Sequence, residues 1–319
     1  MPAKLVAVTD SVFPNLDPAQ EVLAKIGAEV RLAEQVPRDA DAILTTYAKI
    51  SADLIQELKQ CRIIARFGIG VDNVDIPAAT NAGIVVTRVP DYCLDEVSDH
   101  TMTLLLALVR KIPSSNARTQ GGKWEMRAVV PIHRLRGTVL GLVAFGQIPQ
   151  LVAPKAQSFG IRVVTYDPFV SKQVAERAGV EQVTFDELLK ISDYISIHTP
   201  LLPATRHLFN ADVLSRMKPT AYLINTARGP IIDEAALAGA LDQGHLAGAA
   251  LDVMEQEPPS GSPLFGRDNV IVTPHTSFYS EESLVDLQTK AAEEVVRVLS
   301  GQTPKNPVNP EALKIAQAN

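Results

Sequence analysis

The stretch that most constrains the fold runs from Val139 to Asp167, VLGLVAFGQIPQLVAPKAQSFGIRVVTYD. Leu140–Phe145 is an apolar run short enough for a buried strand, a tight turn at Gly146 follows, and helical character extends to Ser158. Gly160 ends that stretch, and Ile161–Tyr166 is a second, β-branched strand closing on Asp167. A strand–turn–helix–strand unit of this length is βαβ, which commits the two strands to one parallel sheet. The acid ending the second strand lies 21 positions after Gly146. In a dinucleotide-binding unit, an acid there accepts hydrogen bonds from the adenosine ribose hydroxyls and repels a 2′-phosphate. The stretch therefore reads as a site for NAD rather than NADP.

The glycine fingerprint departs from G-x-G-x-x-G. Its place is taken by Ala144-Phe145-Gly146-Gln147-Ile148-Pro149, where only the middle glycine survives, the one that lets the backbone approach a pyrophosphate. Ala144 costs about 1 kcal/mol at this turn if its φ is positive, and little otherwise. Pro149 suits a first helical turn, where its missing N–H has no intrahelical partner. Pro154, one turn further in, is expected to remove a hydrogen bond and bend the helix. Without Asp167, an ordinary βαβ unit would be an equal reading.

The same alternation governs the rest of the chain. Lys4–Thr9, AEVRLA, ADAILTT, RIIARF and IVVTRV read as strands. Helices are expected from Asp17-Pro18, from Ser51 and from Asp75. Asp95–Ile112 is a long helix with a wide apolar side, and the segment from Pro113 to Gly137, holding the only tryptophan, Trp124, reads as a loop-rich arm and an interface candidate. Beyond Asp167 come a capping-box pattern at Thr184, strands YISIHTP, AYLINTA, AGAALDV and NVIVTPH, helices opened by Asn210 and Asp233, and a long helix over Ser280–Ser300. The expected fold class is α/β: two doubly wound parallel-sheet domains with a cleft between them, where ligands bind in such folds. A substrate domain is expected over 1–98 plus 291–319, and a nucleotide-binding domain over 99–290.

Composition narrows the partners. A net charge of −6 offers no footprint for nucleic acid or an acidic membrane. Cys61 and Cys93 have no metal or redox spacing, and no apolar run reaches the length of a membrane span. With no signal-peptide pattern at the amino terminus, a cytoplasmic protein without a metal is expected.

Three polar clusters follow predicted strands. Asn225-Thr226-Ala227-Arg228-Gly229 offers an arginine able to grip a carboxylate with two parallel N–H bonds, or a surface ion pair. Asp252 to Pro258 brings Glu255 and Glu257, which on a loop are solvated charge by default. Thr273-Pro274-His275 offers a proton-transfer group, or a structural histidine. Their joint placement favours chemistry, because three consecutive strands of one parallel sheet put all three at its carboxyl edge. Hydride exchange with a hydroxy acid needs a cation for the carboxylate and a base for the oxygen. It also needs an acid that orients the base and keeps its protonated form available.

These motifs, with Arg66-Phe67-Gly68-Ile69-Gly70-Val71-Asp72-Asn73 upstream, resemble the D-2-hydroxyacid dehydrogenases, the family of the phosphoglycerate, glycerate, lactate and formate dehydrogenases. The resemblance spans nearly the whole chain. It implies a flavodoxin-like substrate domain, a Rossmann NAD-binding domain and a homodimer. Arg228 would bind the substrate carboxylate, Glu257 would hydrogen-bond His275, and His275 would donate a proton as hydride arrives. Arg66 and the backbone around Ile69 and Gly70 would meet the substrate. Cofactor contacts would come from Gly146, Gln147, Ile148 and Asp167, from His198, Thr199 and Pro200, and from Thr101, Thr226 and Ala227. Asp252 would orient the nicotinamide amide. The run from His275 to Glu282 looks most like the branch of C-terminal-binding transcriptional corepressors, with Phe278 projecting towards the substrate. That similarity carries an alternative, an NAD(H)-sensing module with little turnover. Arg66, Arg118 and Lys123 are cations that a phosphorylated substrate could use.

Overall fold

The structure, a computed structural model, describes residues 3–33 and 35–318, so Met1, Pro2, Glu34 and Asn319 lie outside it. The chain divides into two compact units, Met1–Cys93 with Tyr279–Asn319, and Leu94–Phe278.

In the first unit, β1 (Leu5–Val8), β2 (Glu29–Leu32), β3 (Ala42–Thr45), β4 (Ile63–Arg66) and β5 (Val85–Thr87) form a parallel sheet in the order β2-β1-β3-β4-β5. Every residue of β1, β3 and β5 is buried, which is why their sequences are continuous apolar runs rather than alternating ones. The helices between them are α1 (Asp17–Ala24), α2 (Ala52–Glu57) and α3 (Ile76–Asn81). Ser51 and Asp75 cap α2 and α3 by accepting from the N–H groups of Leu54 and Ala78. At α1 the cap position belongs to Leu16, and Asp17 is already helical.

The second unit opens with α4 (Leu94–Val109), which buries Val97, Thr101, Leu104, Leu105 and Leu108 at helical spacing. The next helix, α5 (Ile112–Gln120), lies where the sequence suggested a loop. Pro113 in its first turn is a helix-start signal, but α5 buries no residue, so no apolar period marks it. The expectation of an irregular segment is corrected for Ile112–Gln120 and for a short 3₁₀ turn at Met126–Val129.

The βαβ stretch is β6 (Val139–Val143), α6 (Gln147–Ser158) and β7 (Arg162–Tyr166). Pro154 lies inside α6 without ending it. Pro154 and Gln150, whose carbonyl loses its partner, are both exposed, so water can satisfy that oxygen. Then come α7 (Lys172–Arg177), β8 (Glu181–Gln182), α8 (Phe185–Ile191), β9 (Tyr194–Ile197) and α9 (Ala211–Ser215). β10 (Tyr222–Asn225), α10 (Glu234–Asp242), β11 (Gly248–Leu251) and β12 (Val270–Val272) complete the unit. The sheet order β12-β11-β10-β9-β6-β7-β8 reverses direction between β6 and β9, the switch point beside which Gly146 lies. One face packs Ile195, Leu223 and Ala249 with α8 to α10, and the other packs Leu142, Val163 and Ile224 with α4 and α6.

The chain then returns to the first unit through α11 (Glu281–Leu299), which Ser280 and Ser283 open with a reciprocal capping box. α11 lies against α1, β3 and β4, so the whole helix belongs to the first unit and the second crossing falls at Phe278. The last helix is α12 (Ala312–Ala318), beside α3.

Candidate active site

Three turns at the carboxyl ends of β10, β11 and β12, neighbours in the sheet, carry the acid–base constellation of the second unit. Asn225 builds the first. Its buried side chain accepts from the Ala227 N–H at 2.9 Å and donates to the Arg228 carbonyl at 2.9 Å. Arg228 is thereby held in an extended conformation, with Nη1 donating to the Ala227 carbonyl at 2.7 Å. Gly229 must be glycine, since a Cβ there would overlap the backbone of Met254 and Glu255. That close approach sets the arginine turn against the loop bearing Glu257.

The Met254 N–H donates to Glu257 Oε1 at 2.9 Å, and Glu257 Oε2 lies 2.7 Å from His275 Nδ1. A carboxylate only accepts, so Nδ1 carries the proton and the lone pair of the neutral ring lies on Nε2. His275 has φ 53°, and its N–H donates to the Asp252 carbonyl at 2.8 Å. The Phe278 ring stands edge-on to the imidazole with centroids 6.2 Å apart.

Asp252 lies beneath this turn, 1% exposed. Its Oδ1 accepts from the Thr273 hydroxyl at 2.5 Å and the Thr276 N–H at 2.9 Å, and Oδ2 accepts from the Ser277 N–H at 2.9 Å. Burial raises its pKa, but the hydrogen bonds from Thr273, Ser277 and Thr276 outweigh it and hold the carboxyl below the ordinary value. Asp252 thus shapes the turn that presents His275.

At the switch point, Ala144 takes φ 78°, the conformation a glycine would hold there without strain. Gly146 caps α6 with no side-chain hydrogen bond, and a Cβ on it would meet nothing within 4 Å. Gly146, Gln147 and Ile148 thus form a helix amino end of the kind that can hold a pyrophosphate on its N–H groups. Asp167 accepts from the Phe145 N–H at 2.8 Å on Oδ2, and from the Phe169 and Val170 N–H groups at 2.7 and 3.1 Å on Oδ1. The acid therefore ties the glycine turn to the turn after β7, with acceptor capacity remaining on Oδ2.

Across the switch point, the His198 N–H donates to the Val143 carbonyl, and its Nε2 lies 2.9 Å from Ser196 Oγ. Desolvation lowers the His198 pKa to about 3, so this imidazole is neutral. Thr199 and Pro200 continue the same edge. Thr101 is fully buried, with its hydroxyl bonded to the Val97 carbonyl and, at 2.9 Å, to Thr226.

In the first unit, Arg66 ends β4 and Ile69 and Gly70 follow it, with the Arg66 guanidinium folded over Gly68. Phe67 is buried edge-on against Phe13 at 5.0 Å and anchors this loop. Asp10, not singled out from the sequence, accepts from the Thr9 hydroxyl at 2.6 Å and from the Thr46 and Tyr47 N–H groups at 3.0 and 2.6 Å. Burial opposes its ionisation, yet these bonds keep its pKa below the usual value.

One expectation is corrected. Glu255 is not solvated loop charge. Its Oε1 lies 2.6 Å from His207 Nε2 and 3.5 Å from Arg206, and it exchanges backbone-to-carboxylate bonds with Glu234. His207, Glu234 and Glu255 lie far apart in sequence, and only the shared sheet edge brings them together. Among the described residues, no cluster of histidine, cysteine or acidic side chains could hold a metal, and no helix is long and apolar enough to cross a membrane.

Comparison with known proteins gives this geometry a context. Residues 102–277 match the family model of the D-isomer specific 2-hydroxyacid dehydrogenase NAD binding domain. The D-3-phosphoglycerate dehydrogenase of Methanocaldococcus jannaschii is 39% identical over 314 residues, covering 95% of this chain but only 59% of that protein. The glyoxylate reductase of Thermococcus litoralis is 37% identical over 289 residues, 88% of this chain and 87% of the reductase. The crystal structure of D-lactate dehydrogenase from Aquifex aeolicus, complexed with NAD and lactic acid, superposes with a TM-score of 0.87 at 27% identity, covering 96% of this chain and 99% of that one.

Proposed function

The chain belongs to the D-isomer-specific 2-hydroxyacid dehydrogenase family, and we propose that it moves a hydride between NAD and a small 2-oxo or 2-hydroxy acid. The observation that carries this reading is the 2.7 Å bond between His275 Nδ1 and Glu257 Oε2, at one sheet edge with Arg228. It supports His275 as the group that gives a proton to the substrate oxygen through Nε2 during reduction. The donating ring is the imidazolium, protonated on both nitrogens; Glu257 holds its Nδ1–H, so that Nε2 is left with the lone pair once the proton has gone, and Arg228 takes the carboxylate. Arg66, Ile69, Gly70 and Phe278 are proposed substrate contacts. Gly146, Gln147, Ile148, Asp167, His198, Thr199, Pro200, Thr226, Ala227, Thr101 and Asp252 are proposed to bound or support the cofactor site. NAD supplies the hydride acceptor or donor. The Asp167 carboxylate favours NAD over NADP by repelling a 2′-phosphate.

The proposal extends to a cytoplasmic homodimer. Buried Cys61 and Cys93, both thiols, suit a reducing compartment. Trp124 is 90% exposed and Met126 77%, on an arm that carries Arg118, Lys123, Arg127, Arg134 and Arg136 against one acid, Glu125. A second copy of a chain with net charge −6 would complement that basic, aromatic surface.

The test is NADH consumption against a panel from glyoxylate and hydroxypyruvate to branched and phosphorylated 2-oxo acids. Turnover is expected for at least one acid, with His275→Ala lowering kcat about 10²–10⁴-fold, as loss of general acid catalysis should. Equal turnover by the variant would remove His275 from the reaction. NADH binding with no turnover anywhere would favour the sensing alternative.

A further inference from the structure

Two successive residues of α4 reach the two turns that carry the proposed chemistry. Thr101 bonds to Thr226, two residues before Arg228, and His100 Nε2 lies 3.1 Å from Thr273 Oγ1, two residues before His275. The direction of the second contact follows from its neighbours. Thr273 Oγ1 is 2.5 Å from Asp252 Oδ1, and an ionised carboxylate has no proton to offer, so the hydroxyl donates to Asp252. Its lone pair then accepts from His100, which fixes the proton on Nε2. The same nitrogen stands 3.5 Å from Asp252 Oδ1. Asp252 in turn anchors the N–H groups of Thr276 and Ser277, on the far side of His275.

Imidazole, hydroxyl and carboxylate thus form one chain ending on the turn that holds His275 at φ 53°. A left-handed histidine persists only where its surroundings over-determine it. We propose that His100 is a positioning residue: through Thr273 and Asp252 it braces the turn that aims His275, without touching substrate itself. This rests on the reading of His275 as the proton-transfer group.

His100→Leu removes the N–H donor at similar bulk, whereas His100→Gln keeps one near the position of Nε2. Two quantities separate the outcomes: kcat and KM with NADH and a responding 2-oxo acid, and amide hydrogen exchange at Thr276 and Ser277 without ligand. In His100→Leu, kcat should fall about tenfold with the KM for NADH within about twofold, and exchange should quicken about tenfold, the effect of one hydrogen bond. Glutamine should restore most of both. Unaltered kcat and exchange in His100→Leu overturn the proposal, and so does an equal loss in both variants, which marks packing alone. Should the wild-type protein reduce no 2-oxo acid, the reaction is refuted. Exchange then decides the bracing: quickened by leucine and restored by glutamine supports it, unaltered overturns it.

Discussion

Ala144 holds a conformation that costs an L-residue about 1–2 kcal/mol. Glycine relieves that strain but adds about 0.4–1 kcal/mol of chain freedom to the unfolded state. Ala144→Gly should therefore stabilise the protein by about 0.5–1 kcal/mol. The check is a higher midpoint in urea with the same slope, and a lower midpoint would mean that the turn carries no strain. Gly229 makes the opposite case. Gly229→Ala forces a methyl into the Met254–Glu255 backbone, where overpacking costs about 1–3 kcal/mol. The shift also moves Arg228 relative to Glu257, so kcat/KM should drop about a hundredfold, the cost of roughly 1 Å of misplacement. Kinetics and melting of this one variant test both statements, and an unaffected kcat/KM would uncouple the two loops.

Among the elements, α6 is the one with a built-in defect. Pro154→Ala restores a backbone hydrogen bond at an exposed position, and helix propensity favours it by up to about 3 kcal/mol, less about 0.4–1 for unfolded-state rigidity. A gain of about 1–2 kcal/mol is expected, read as a higher melting temperature; no gain would mean that α6 has adapted fully to the proline. The elements also show what a sequence reveals. Buried parallel strands were legible because both faces are covered and the runs are continuously apolar, as in β3 and β11. Caps at Ser51, Thr184, Asn210 and Asp233 were legible because capping is local. α5 was not, since it buries nothing and leaves no period. In the candidate site, turns ending apolar strands could be located, but not what braces them. His100 and Thr273 are 173 residues apart, and the exchange between Glu234 and Glu255 needs α10 and the β11 loop already folded.

For the molecule as a whole, the basic arm gives the association proposal its test. Trp124→Asp removes an exposed aromatic and lowers the net positive charge of the arm by one. Sedimentation should show a dimer for the wild type and a protein shifted to monomer, by at least about tenfold in Kd, for the variant, as for loss of an aromatic hot spot. Equal association would move the interface elsewhere. The division of the chain also has a bearing on its synthesis. The second unit is a guest inserted between Cys93 and Tyr279 of its host. On the ribosome it is complete while the first unit still lacks α11, the helix that covers α1, β3 and β4. The part begun first is finished last, and until then it presents an uncovered sheet face to chaperones and proteases. A nonsense mutation within α11 would injure the fold of the residues before Cys93.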